Sequence, residues 1–296
     1  MLSAVALPLP RRRLLTAVVG AAAGVGLAGA TWTATRHRRG ATTAAERSPG
    51  STTRPVGSTV PRAPLSGRVI GLDPGHNGLN WEHTAYIDEL VWNGREQETC
   101  DTTGTQDGNG YTEAEFAFNV AQYLAASLRA EGATVVLTRT TNTGFGPCIT
   151  ERASIINNAG ADVAISIHAD GGPETGRGFS ILEPVASGVN DDVIGASQAL
   201  GARVRSALLD ETPMPLSNYY GVDGIVARDD LGGLNLTTVP KVMVECGNMP
   251  NPTDAALLAD PGFQQQVAGA LATAVKAFLT SSDTTGATTA TTLVRA

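Results

Sequence analysis

Arg68-Val69-Ile70-Gly71-Leu72-Asp73-Pro74-Gly75-His76 is the stretch from which the rest of the chain can be ordered. An apolar, β-branched run stopped by Pro-Gly reads as a short strand. Residues 77–110 then carry Gly, Asn, Asp and Thr with scattered Trp81, Tyr86 and Trp92, too long and irregular for a plain connection, and loops of that kind shape sites. Thr112 offers a hydroxyl cap, and Phe116, Val120, Leu124 and Leu128 recur at helical spacing until Glu131-Gly132. The same reading gives strands over 133–138, 162–168, 179–183 and 241–245. It gives helices over 151–159 and 197–209, and one or two closing helices over 254–278. Strands and helices alternate, which predicts an α/β fold: a single domain over residues 67–280 with a twisted, mostly parallel central sheet and helices on both faces. In such sheets ligands collect beyond the carboxyl ends of the strands.

The two ends differ from this middle. Pro10-Arg11-Arg12-Arg13-Leu14-Leu15 followed by an Ala/Val/Gly run to about Ala30 has the layout of an export signal over residues 1–40. Arginines before Leu-Leu resemble a twin-arginine signal, but the Ser or Thr usual before the pair is missing, so the Sec route stays open. An uncleaved membrane anchor is the competing reading, with Ala28-Gly29-Ala30 favouring cleavage. Both place the domain outside the cytoplasm, with membrane contact only through this segment. Residues 41–66 read as a flexible linker and 281–296 as a disordered tail, because neither buries enough apolar surface to offset ordering. The net charge is −7, and residues 1–39 contain six arginines and no acid, so the remainder carries −13. With no Lys/Arg stripe, nucleic acid is excluded as a partner, and a monomer is expected.

Of the three cysteines, Cys100 and Cys148 lie in Gly/Thr/Asn-rich loops and Cys246 ends an apolar run, so a Cys100–Cys148 disulfide is expected, with Cys246 reduced. His76 and His168 are the two histidines at strand ends. Two imidazoles and one carboxylate, leaving a coordination position open, describe a catalytic zinc rather than a closed structural one. Glu113 and Glu115 both sit in a first helical turn, where an acid also merely complements the helix dipole. Glu113 shares the stripe of Phe116, but the residues alone decide only in part. Glu245 ends Val242-Met243-Val244, where its plain role would be an ion pair with Arg139 or Arg152. Its chemical role would be that of a general base beside a metal.

Taken together, Leu72-Asp-Pro-Gly-His76-Asn-Gly78, Glu113 before Phe116, Phe118, Val120 and Ala121, Ser166-Ile-His168-Ala-Asp170 and Val244-Glu-Cys-Gly-Asn248 resemble the zinc-dependent N-acetylmuramoyl-L-alanine amidases of the Amidase_3 family. The resemblance spans about Val69 to Leu279. It implies that His76, Glu113 and His168 hold one zinc ion, that Glu113 rather than Glu115 is the ligand, and that Glu245 is the catalytic acid/base. It further implies hydrolysis of the amide between the lactyl group of N-acetylmuramic acid and L-alanine in peptidoglycan or muropeptides, outside the cytoplasm. Single-domain secreted members also support the Cys100–Cys148 pairing. Between Asp170 and Asp192 there is no long helical insert of the kind that plugs partner-activated relatives. The alternatives are a zinc peptidase acting on the stem peptide, or a wall-binding protein without chemistry.

Overall fold

The computed structural model describes residues 62–291, with side chains to residue 281. The expected export signal and most of the expected linker lie outside the described residues. The elements run in chain order as β1 (Val69–Pro74), α1 (Thr84–Ile87), β2 (Leu90–Trp92), β3 (Gln97–Thr99), α2 (Glu113–Ala130), β4 (Thr134–Leu137), α3 (Ile149–Asn158) and β5 (Val163–Asp170). They continue as β6 (Ser180–Pro184), α4 (Ile194–Glu211), β7 (Ile225–Arg228), α5 (Gly232–Asn235), β8 (Lys241–Asn248), α6 (Pro252–Leu258) and α7 (Pro261–Thr291). Six strands form one sheet in the order β4-β1-β5-β8-β6-β7, and β2 and β3 form a separate antiparallel hairpin. Strands β4, β1, β5 and β8 are mutually parallel, and β6 turns against β8 and runs parallel to β7. This is the expected single α/β domain with a mostly parallel sheet.

The two faces of the sheet are built differently. Ile70, Leu72, Ile165, Ile167, Val242 and Val244 join one large apolar core, to which α2, α4 and α7 contribute Phe116, Leu124, Val204 and Leu271. Alternate residues of the same strands point to the face covered by α3 and α5, and there the apolar cluster shrinks to Ile156, Ala161 and Ala164. Beside it are buried Asp73, Ser166 and Lys241. The chain crosses from β1 outward to β4 and then back past β1 to β5. The carboxyl ends of β1 and β5 therefore flank a topological switch point, where such sheets open a crevice.

Helix α2 forms as its sequence dictates. Thr112 Oγ1 accepts the Glu115 amide at 3.2 Å, the apolar stripe is fully buried, and Gly132 takes φ +94° just past the end. Two boundaries differ from the sequence reading. The domain begins before residue 67: Leu65 is 1% exposed in the large core and its amide bonds to Glu131 O at 2.9 Å, one apolar side chain anchoring what composition alone marks as linker. At the other end α7 runs through Thr291 rather than stopping near Ser281, because a helix docked over Phe263 to Leu279 propagates one bond per residue into poorer helix formers. No helix of the described residues is long and apolar enough to cross a membrane.

The expected Cys100–Cys148 disulfide is not formed in the structure, where all three cysteines are buried free thiols. The side chains of Cys100 and Cys148 nevertheless meet, and burial followed by this contact pushes the Cys100 thiol up to about 12.

Candidate metal centre and active site

Four chain segments converge at the switch point. His76 follows the Pro74-Gly75 turn with its own backbone in the left-handed region, φ +52°. His168 lies near the end of β5, and Glu245 is its register partner on β8, so the two side chains share one face. Glu113 opens α2 and is 5% exposed, whereas Glu115 points to solvent. Structure thus separates the two acids that the sequence left in competition.

Donor atoms of His76, Glu113 and His168 lie within 4.8 Å of one another. Glu113 Oε1 stands 2.7 Å from His168 Nδ1 and 3.2 Å from His76 Nε2. The Thr105 amide donates to Glu113 Oε2 at 2.9 Å and fixes the carboxylate from behind. Burial disfavours a charged imidazole at His76, but Glu113 and Asp101 outweigh it and lift the ring to about 10. Burial likewise opposes ionisation of Glu113, yet the two histidines hold its carboxyl well below the usual range. A pocket that so favours positive charge fits a cation, and two imidazoles with one carboxylate suit zinc.

The histidines are aimed by their surroundings. Asp101 Oδ1 lies 3.1 Å from His76 Nδ1, leaving Nε2 toward Glu113, and Asp101 Oδ2 accepts from Arg152 Nη2 at 3.2 Å. Gly75 must lack a side chain, since a Cβ there would lie 2.3 Å from the His168 ring. Arg139 donates to Pro74 O, Gly75 O and Ala114 O at 3.0, 3.0 and 2.7 Å, which ties the turn before His76 to the first turn of α2. Arg152 bonds Pro74 O at 2.7 Å and His76 O at 2.8 Å. Both arginines are committed to this scaffold, not to Glu245.

Glu245 remains apart from these bonds. Among the described residues, only its Oε2 and Asn235 Oδ1 are buried side-chain polar atoms without a hydrogen-bond partner. Burial, then Glu113 and Asp170, push its carboxyl well above the ordinary value, against the opposing charges of His76 and Arg228. It lines a cavity of about 360 Å³ that contains the whole triad and extends past Glu98, Asp170, Arg228 and Met243. The Tyr219 hydroxyl donates at 2.7 Å to Oδ2 of Asp170, one of the lining residues.

Sequence reading missed Asp101, whose loop carries no pattern, and the role of Asp73, which it saw only as a strand terminus. Asp73 accepts from Lys241 Nζ at 2.8 Å, Arg152 Nη1 at 3.1 Å, Thr138 Oγ1 at 2.8 Å and Ser166 Oγ at 3.1 Å. Burial opposes its ionisation, but Lys241 and Arg152 overcome that and hold the carboxyl far below its ordinary value. A chain of charge therefore runs from Lys241 through Asp73, Arg152 and Asp101 to His76.

Known proteins agree with this assembly. The model of the Amidase_3 family, described as N-acetylmuramoyl-L-alanine amidase, matches residues 70–277. An N-acetylmuramoyl-L-alanine amidase of Mycobacterium tuberculosis is 38% identical over 228 residues, 76% of this chain and 92% of that protein. The germination-specific N-acetylmuramoyl-L-alanine amidase of Bacillus subtilis is 25% identical over 224 residues, 70% of this chain and 78% of that protein. The crystal structure of the N-acetylmuramyl-L-alanine amidase Ami1 from Mycobacterium smegmatis superposes with a TM-score of 0.69 at 37% identity, covering 73% of this chain and 99% of that one. A family match that runs through His76, Glu113, His168 and Glu245, on a fold shared with solved amidases, places this chain in the Amidase_3 family of N-acetylmuramoyl-L-alanine amidases.

Proposed function

We propose that this chain hydrolyses the amide between N-acetylmuramic acid and L-alanine in peptidoglycan or its fragments, with one zinc ion held by His76, Glu113 and His168 and with Glu245 as acid/base. The observation that carries the mechanism is the buried, unpartnered Oε2 of Glu245 beside His168. Zinc in such a site polarises the scissile carbonyl and acidifies the attacking water. Everything else is supplied by the chain. Glu245 takes the proton of the attacking water and returns it to the departing L-alanine nitrogen. Its position apart from the triad's bonds keeps it available for both transfers. Positive charge in the triad would lower its carboxyl from its raised position, which makes the charged, proton-accepting form easier to reach. Asp101 keeps His76 in one tautomer and one orientation.

Export by the N-terminal segment belongs to the same proposal, since the substrate lies outside the cytoplasm. So does oxidation of the Cys100–Cys148 pair in that compartment, which thiol counting on the exported protein would check: one free thiol is expected, and three would reject the bridge.

The function is tested by incubating the purified, zinc-loaded protein with muropeptides and weighing the products. Free intact peptide beginning at L-alanine is expected, and its formation should cease with a chelator and return with added zinc. Shortened peptides still attached to sugar would instead identify a stem-peptide peptidase. Asp101→Asn is expected to weaken zinc affinity by about 10–100-fold with the fold intact, as loss of an outer partner of a metal-binding histidine does elsewhere. Competition against a chromogenic chelator measures it.

A further inference from the structure

Two hollows meet beside the triad, and their chemistry differs. The cavity that contains the triad and Glu245 is lined by ionisable groups, among them Glu98, Asp170 and Arg228. The second, of about 410 Å³, is lined by Asn77, Trp81, Thr103, Thr105, Gln106 and Thr112 with small neighbours and no charged residue. Gly104 borders both. A Cβ on Gly104 would lie 2.7 Å from the His76 ring and 2.9 Å from Glu113 Oε2, so the partition between the hollows is bare backbone pressed against the metal donors. A substrate whose scissile bond sits at the triad can thus extend into both.

Trp81 is the second hollow's outstanding feature. It is 64% exposed, although an indole normally finds cover. Its support is rigid: it rides on a short 3₁₀ turn, Asn80–Glu82, whose Asn80 is fully buried, donates to Thr102 O at 2.7 Å and accepts the Gly146 amide at 2.8 Å. A solvent-facing indole carried on an anchored turn, over a floor of hydroxyls and amides, is suited to a pyranose, whose C–H face packs on the ring while its hydroxyl and acetamido groups bond to the floor. A peptide bearing carboxylates and amines is better matched by the charged cavity.

We propose that the Trp81 groove binds the N-acetylated sugar on the acyl side of the scissile amide, so that the substrate lies across Gly104 with sugar on Trp81 and peptide toward Arg228. This rests on the amidase reading and adds a direction to it. The sequence holds three tryptophans, Trp32, Trp81 and Trp92, and Trp92 is exposed without lining this groove. N-acetylmuramic acid titrated into the zinc-loaded protein should quench tryptophan fluorescence in wild type and in Trp92→Phe, and not in Trp81→Phe. In parallel, the preference in kcat/KM for a muropeptide over the same peptide carrying only a lactyl group should fall about tenfold in Trp81→Ala, equivalent to about 1.4 kcal/mol, and hold in Trp92→Ala. Quenching that survives in Trp81→Phe, or an unchanged preference in Trp81→Ala, would overturn the proposal while leaving the amidase standing. Absence of L-alanine-terminated product from wild type would instead remove the amidase reading, and quenching confined to Trp81 would then still identify a sugar site.

Discussion

Glu245→Gln is expected to lower kcat on muropeptides by about 10²–10⁴-fold, the usual worth of a positioned proton carrier, while zinc content stays at one per chain. The amide keeps the shape of the side chain and removes only its capacity to take and return a proton. The same substitution should make the metal-free protein more stable at neutral pH. Burial and the nearby Glu113 and Asp170 raise the folded-state pKa of Glu245 above its unfolded value. The folded protein therefore holds that proton to higher pH than the unfolded chain, and stability falls as pH rises through this interval. Gln is exempt from that loss. Steady-state kinetics beside thermal melts of the chelated proteins at pH 4 and pH 7 measure both effects. A kcat within tenfold of wild type would dismiss Glu245 as the proton carrier.

Asp73→Asn has the largest expected effect on stability. Asp73 is the shared anion of Lys241 and Arg152, all three nearly inaccessible to solvent. Neutralising it leaves two buried cations facing each other with one compensating charge, at Asp101, for the arginine alone. Breaking a buried pair by removing one partner costs about 3–5 kcal/mol, or roughly 6–20 °C in Tm for a domain of this size. Lys241→Met should cost less, because Asp73 keeps Arg152. The pH dependence has a definite sign. The folded pKa of Asp73 is depressed below its ordinary 3.8, so its contribution is complete above that value and is lost as pH falls below it. Acid melts of the wild type should steepen below pH 3.8 relative to Asp73→Asn. An Asn variant that melts within 2 °C of wild type at pH 7 would show that the network contributes no net stability.

That network also marks the limit of what the sequence disclosed. Strands β1, β5 and β8 were legible because they are continuous apolar runs between turn residues. Their last polar residues stood out against them, and His76, His168 and Glu245 emerged from that contrast. Lys241 did not, because a lysine at the start of a strand looks like a solvated end. Only the packing of α3 and α5 over that face reveals it as a buried cation. Strands β2, β3 and β7 are three or four residues long and mostly half-buried or exposed, so no period-two pattern had room to develop. The antiparallel turn of β6 against β8 depends on long-range pairing that no local run encodes. Glu113 needed family resemblance to prevail over Glu115, since one helical turn carries too few residues to fix a face. Asp101 needed three dimensions, because its partner His76 is 25 positions away in an aperiodic loop.

His76 holds a left-handed backbone that a β-carbon makes costly, on the order of 1–2 kcal/mol. The carbonyl bonds from Arg139 and Arg152 keep it there. Glycine at position 76 would release that strain and keep those bonds, but it would also take the imidazole from two buried carboxylates, Asp101 at 3.1 Å and Glu113 at 3.2 Å. Orphaning buried charge costs more than the strain it would relieve. The strained backbone is thus held by the same acids that aim the ring, and even a lineage freed from the need to cut cell wall would meet a folding penalty on drifting to glycine at 76.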